Sequence, residues 1–173
     1  MCRILMNERD RKVREAAHQA FSAFIRRGKR KLGPHLKKIF PLWLCSFFDP
    51  SPEVSRLARQ NFDAAFPQEK QGAVFKIVFK NFLHFANEQL QQSEDSFDDD
   101  KAKKEQAEDA FDRITAAVLL ALGHSFNFIE EWPEEEKEMY RSKLLDILDL
   151  KIDAQPAAEE EKEEEVEQPE EDG

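Results

Sequence analysis

Asp10-Arg11-Lys12-Val13-Arg14-Glu15-Ala16-Ala17-His18-Gln19-Ala20-Phe21 decides how the chain is read. Its apolar residues, continued by Phe24 and Ile25, fall at Val13, Ala16, Ala17, Ala20, Phe21, Phe24 and Ile25. That spacing forms one stripe of an amphipathic helix. Asp10 stands where an N-cap acceptor belongs, and Arg11, Arg14 and Gln19 fall on the opposite, polar face. Such a helix is marginal until its stripe packs on a partner. The pattern returns in Asp49-Pro50-Ser51-Pro52-Glu53-Val54, carrying Val13 to Val54, Ala17 to Ala58 and Phe21 to Phe62, each 41 residues on. A helical period of about 40–47 residues belongs to HEAT and armadillo arrays, in which each repeat buries its apolar face on the next.

Working outward, residues 1–9 read as the end of a preceding helix, as though the chain opened inside an array. Residues 10–91 read as two HEAT-like repeats. The first helix is expected over Lys12–Lys31 and the second over Pro34–Phe48, with Gly33-Pro34 as the break and Pro41 as an internal kink. The third runs from the Asp49-Pro50-Ser51-Pro52 turn to Phe66 and is stopped by Pro67. The fourth, about Gln71–Gln91, carries Val74, Phe75, Ile77, Val78, Phe79, Phe82, Leu83, Phe85 and Ala86, which predicts burial on both sides. Residues 92–103 form an acidic, aperiodic stretch, read as a flexible loop. Residues 104–152 hold a third helical pair, with Ala107, Ala110, Phe111, Ile114, Val118, Leu119, Leu122 and Phe126 inward on one helix. Met139, Tyr140, Leu144, Leu145, Ile147 and Leu148 are inward on the other. Residues 153–173 are too acidic to bury anything and read as a disordered tail. The fold class is therefore all-α: a solenoid of about three helical pairs.

The net charge of −10 conceals a gradient. The first 44 residues hold 12 Lys/Arg and 3 acids, whereas residues 91–173 hold 9 and 28. A basic head of this kind suits an anionic surface that an acidic end repels. Two cysteines, Cys2 and Cys45, make no disulfide framework and fit a reducing compartment. No stretch is apolar enough for a membrane span, and the charged N-terminus is not a signal peptide. The cytosol is the expected compartment.

His18, His35, His84 and His124 are isolated, and no His-Glu-x-x-His, Cys-x-x-Cys or Gly-rich phosphate loop occurs. The carboxylates lie in runs such as Glu134 to Glu136, which solvation keeps at ordinary acidity. No catalytic residue, metal ligand or cofactor is expected in this chain. The positive signal is Arg26, Arg27, Lys29, Arg30 and Lys31, followed by Lys37 and Lys38, at the first inter-helix turn. Cations clustered there suit phosphates or another acidic surface, and they also suit the negative end of a helix dipole. No aromatic residue is interleaved, so base stacking has no support.

Beyond these patterns, Asp10–Phe21, Leu32-Gly33-Pro34-His35-Leu36-Lys37, Trp43-Leu44 and Ala64-Ala65-Phe66-Pro67-Gln68-Glu69-Lys70-Gln71 closely resemble the N-terminal region of the listerin family of RING-type E3 ubiquitin ligases. The resemblance implies a long cytosolic HEAT solenoid acting in ribosome-associated quality control. Such a protein binds the large ribosomal subunit with its stalled nascent chain, beside a nascent-chain-binding subunit. A distant zinc RING directs an E2 to ubiquitylate that chain for degradation. This sequence contains no RING set of cysteines and histidines. What carries over is the anchoring end, with Arg26, Arg27, Lys29, Arg30, Lys31, Lys37 and Lys38 as candidate contacts. A HEAT scaffold of another family, such as a nuclear transport receptor or a phosphatase scaffold, shares the Asp-x-x-Val-Arg helix start. The Ala64–Gln71 segment favours listerin.

Overall fold

The first helix is fixed at its start by Asp10. The Lys12 amide donates to Asp10 Oδ1 at 2.8 Å, and the Asp10 carbonyl accepts from the Val13 and Arg14 amides at 3.1 Å each. The computed structural model describes residues 8–91, 101–130 and 132–152, without the side chains of Lys29, Arg30, 101–108 and 149–152. Of the helix end expected over residues 1–9, residues 1–7 lie outside the described residues and residues 8–10 are not helical; of the loop expected over residues 92–103, residues 92–100 lie outside them and residues 101–103 are helical instead; the tail 153–173 lies outside them as well.

Helix α1 spans Arg11–Leu32, interrupted at Gly28, whose φ of −141° and ψ of 31° leave the helical region. The expected single helix over Pro34–Phe48 is instead a 3-10 turn (Gly33–His35), α2 (Leu36–Cys45) and a second 3-10 turn (Ser46–Phe48). Helix α3 covers Pro52–Ala65, with Pro52 in its first turn, where a missing N–H costs nothing. Helix α4 covers Gln68–Leu90, α5 Lys101–Ile129 and α6 Glu134–Ile152. Among the described residues there is no strand. The all-α, solenoid-like fold expected from the periodicity is what forms.

α1 packs on α3 and α2 on α4, so α1 and α3 share one layer and α2 and α4 another. α5 packs on α4, on α2 and on the Ser46–Phe48 turn, and α6 packs on α4 and α5. Between the layers sits Trp43, fully buried. It meets Phe21 edge-on at 4.7 Å and Phe62 at 5.6 Å, and its indole N–H donates to the Ala58 carbonyl at 2.9 Å. The ring thus buries its apolar body with its one polar group satisfied. Phe40 bridges Phe62 and Phe75, each at 5.8 Å. Phe75 stacks on Phe128 at 4.2 Å, while Phe79 meets Trp132 and Tyr140, joining α4 to the last two helices.

The buried face of α1 is rotated from the one its apolar stripe predicts. Ala17, Phe21 and Ile25 are buried as expected, but Arg14 and His18 are buried with them. Val13 and Phe24 are 41 % and 37 % exposed, and Ala16 and Ala20 are exposed as well. The reason is where α3 lies. Asn61 of α3 donates to the His18 carbonyl at 2.9 Å and accepts from the Ser22 hydroxyl, so α3 covers the side carrying Arg14, His18 and Ser22. Arg14, read as outward, can be buried because Asp49 meets it there. Likewise α4 is not covered all round: Ile77 is 61 % exposed, and Val74 and Phe85 are half-buried. On α6, Met139 and Leu145 face outward, at 45 % and 53 % exposure. The neighbours of α4 and α6 leave those flanks open.

Candidate basic interface

The seven basic positions fall at one end of the first helical pair. Arg26 and Arg27 occupy the last regular turn of α1 before Gly28, and Lys31 lies on the turn beyond it. The Gly33–His35 turn reverses the chain, and Lys37 and Lys38 then sit in the first turn of α2. Their positions follow from what α2 must bury. Leu36, Ile39 and Phe40 face the core, which turns Lys37 and Lys38 outward. Arg26, Arg27, Lys31, Lys37 and Lys38 are all exposed. The side chains of Lys29 and Arg30 are outside the described ones, so for these two only the backbone position is fixed.

Electrostatically the region is one-signed. Between Glu15 and Asp49 the sequence holds no acidic residue. Among the described residues, none of Arg26, Arg27, Lys31, Lys37 and Lys38 has an ion-pair partner. Elsewhere the pattern differs: Lys137 and Arg141 are held by Glu130, Glu134 and Glu138, and Lys76 pairs with Glu136 at 2.6 Å. Cations grouped at an edge without counter-charges keep their field for an external anion.

Sequence reasoning missed a buried polar junction at the other end of α1. Arg14 Nε and Nη2 donate to Asp49 at 2.7 and 3.0 Å, and Arg14 Nη1 donates to the Glu8 and Arg9 carbonyls at 2.9 and 2.7 Å. Arg113 of α5 reaches the Glu8 carbonyl at 3.2 Å, and burial followed by the nearby Arg14 charge lowers its pKa. An open cleft of about 380 Å³ lies here, lined by Arg9, Arg14, Asp109, Ala110 and Arg113. Arg14 is already committed to protein oxygens, so the cleft is a junction between α1 and α5. The signal available beforehand was the Asp49-Pro50-Ser51 turn, whose carboxylate caps its own Ser51 amide at 2.9 Å and still has an oxygen for Arg14.

Among the described residues the titratable groups bring together no reactive set. His18 is fully buried, neither ring nitrogen has a partner, and its pKa is lowered to about 4. Burial is the main cause; Asp49 opposes it and Arg14 reinforces it. His124, half-buried against Phe48 and Phe128, is lowered by burial and by Arg59. Burial pushes the Cys45 thiol up, away from the reactive thiolate. Among the described residues no group of His, Cys, Asp or Glu could hold a metal ion, and no helix is long and apolar enough to cross a membrane.

Residues 3–151 match the family model described as "E3 ubiquitin-protein ligase listerin, N-terminal domain". E3 ubiquitin-protein ligase listerin of Mus musculus and of Gallus gallus are each 30 % identical over 149 residues, 85 % of this chain. The Xenopus tropicalis protein of the same name is similar to the same degree. The chain spans about 8 % of the length of these relatives. No solved structure matches it. A family model covering nearly the whole helical array, on a fold of the predicted kind, places this chain in the listerin family as its N-terminal domain.

Proposed function

We propose that this chain is the ribosome-anchoring segment of a listerin-type E3 ubiquitin ligase. It would hold the ligase on large ribosomal subunits carrying stalled nascent chains, beside the nascent-chain-binding subunit, in the cytosol. The observation that carries the reading is the unpaired basic edge of Arg26, Arg27, Lys31, Lys37 and Lys38 on a domain of that family. The subunit's surface is dense with phosphate, and counter-ion release on contact would supply affinity without base recognition. Ubiquitin transfer belongs to a zinc RING and its E2. The two cysteines here lie 43 positions apart and one is buried, so this chain's residues do not fit a RING zinc site.

The test is co-sedimentation of the 173-residue chain with purified large subunits over a salt series. Binding at low salt, falling steeply as salt rises, is expected. Reversal of Arg26, Arg27, Lys31, Lys37 and Lys38 to Glu should abolish it. Unchanged co-sedimentation of that variant would remove the basis of the reading.

A further inference from the structure

The Ala64–Gln71 segment forms the turn from α3 into α4, and an open cleft of about 330 Å³ lies there, lined by Asp63, Phe66, Gln68 and Gln71. Asn61 of α3 faces α1, where it donates to the His18 carbonyl. Asp63 follows two residues on, about 200° further round the helix, and is exposed. The cleft therefore opens away from α1, and no residue of the basic edge lines it.

Its walls are held in place. Gln71 Nε2 donates to Asp63 Oδ1 at 3.0 Å and to the Phe66 carbonyl at 3.2 Å, clasping the turn and fixing the carboxylate. Phe66 is half-buried and packs on Phe62 at 5.3 Å and on Trp43 at 6.2 Å, which fixes its ring as an apolar wall. Arg59, one turn before Asp63, stands at the spacing that pairs charges along a helix. It is turned instead to the Phe47 carbonyl, at 3.0 Å, and lies over the Phe47 and Phe48 rings at 5.1 and 5.3 Å. Among the described residues Asp63 has no ion-pair partner, and the Gln68 side chain makes no hydrogen bond.

We infer that this cleft binds an arginine side chain presented by a protein partner. A guanidinium meets each group that lines it. Its N–H fork matches the Asp63 carboxylate, its plane lies against an aromatic ring such as Phe66, and its remaining N–H groups reach the side-chain oxygens of Gln68 and Gln71. Lysine answers the charge but neither the fork nor the ring plane. An anion is repelled by Asp63. The described residues group no second carboxylate, cysteine or histidine here for a metal ion. The site is thus opposite in preference to the basic edge: the domain carries a cation-seeking cleft on one flank of α3 and an anion-seeking edge at the end of α1.

Proton–nitrogen correlation spectra of the isotope-labelled 173-residue chain, titrated with the blocked tripeptide acetyl-Gly-Arg-Gly-amide, test this. The side-chain amide signals of Gln68 and Gln71 should shift together and saturate with a millimolar dissociation constant, as one exposed charged contact allows. The lysine tripeptide should bind at least about threefold more weakly. The citrulline tripeptide, of the same shape but uncharged, should leave both signals in place. Asp63→Asn alters an exposed residue and should weaken the arginine tripeptide at least about tenfold with the melting temperature unchanged. Equal shifts with citrulline, or undiminished binding by Asp63→Asn, would overturn the inference. So would equal shifts at the backbone amides of Glu134 to Glu136, which would mean attraction to acidic surface at large. Tighter binding of free arginine than of the tripeptide would assign the cleft to the amino acid and remove the protein partner.

Discussion

Arg14 of α1 and Asp49, 35 residues later, form a bidentate ion pair with side chains only 4 % and 3 % exposed. It ties the start of α1 to the turn that precedes α3. Charges this deeply buried are favourable only while each keeps its partner. Arg14→Met should therefore cost about 3–5 kcal/mol by stranding Asp49, and Asp49→Asn should be similarly damaging. For a chain of this size each kilocalorie moves Tm by about 2–4 °C. Combining Arg14→Met with Asp49→Leu should recover much of the loss, because neither charge is then left unpaired. Thermal melts of the three variants check this; an additive double variant would contradict it.

His18 makes stability depend on pH in a definite direction. Its pKa is about 4 in the folded chain and near 6.5 when unfolded, so the unfolded state binds the extra proton in between. Its contribution is fully present above about pH 6.5 and is lost as pH falls towards 4. The slope approaches ~1.4 kcal/mol per pH unit, or about 3 kcal/mol across the window. His124, shifted the same way, steepens it. His18→Leu should flatten the dependence and leave stability at pH 7 unchanged or raised, since both unpartnered nitrogens disappear. Urea midpoints between pH 4 and 7.5 give the answer.

Phe21 and Phe62 occupy equivalent positions and press on the same indole from opposite helices. Phe21→Ala and Phe62→Ala should each cost about 3–5 kcal/mol. Because Trp43 is their common partner, the double variant should lose less than the sum, by about 0.5–3 kcal/mol. Additivity in denaturant unfolding would mean that the two rings do not act through Trp43.

Charge reversal at the basic edge should separate binding from folding. Lys37→Glu and Lys38→Glu alter exposed positions without ion-pair partners, so stability should stay within about 0.5 kcal/mol. Each should lower the salt slope of subunit binding by roughly 0.7–0.9 if a phosphate contact is lost. Parallel melts and salt titrations would distinguish this from damage to the fold.

Much of the architecture was legible because it follows from periodicity. The 41-residue echo found α1 and α3, and the proline–glycine punctuation found the turns. Orientation about each helix axis was less legible. Hydrophobicity says that Val13, Ala20 and Phe24 can be buried; only the position of α3 decides that Arg14 and His18 are buried instead. Ile77 and Leu145 were misassigned for the same reason. Conversely, Ala117, Ala121 and Ile129 are buried on α5 because α2, α4 and α6 surround that face, which no local pattern encodes. The basic edge was legible as charge. That Arg26, Arg27, Lys31, Lys37 and Lys38 have no ion-pair partner among the described residues was not, since that depends on which carboxylates the fold brings near.

The chain contains two tryptophans, and the fold puts one in each part of the array. Trp43 sits between α1, α2 and α3, while Trp132 sits between α4 and α6 beside Phe79 and Tyr140. Replacing either with Phe leaves a single emitter that reports its own part alone. Repeat arrays gain stability from nearest-neighbour contacts and can melt piecewise. The two emission curves would therefore reveal whether this domain unfolds in one step or loses its last helical pair first.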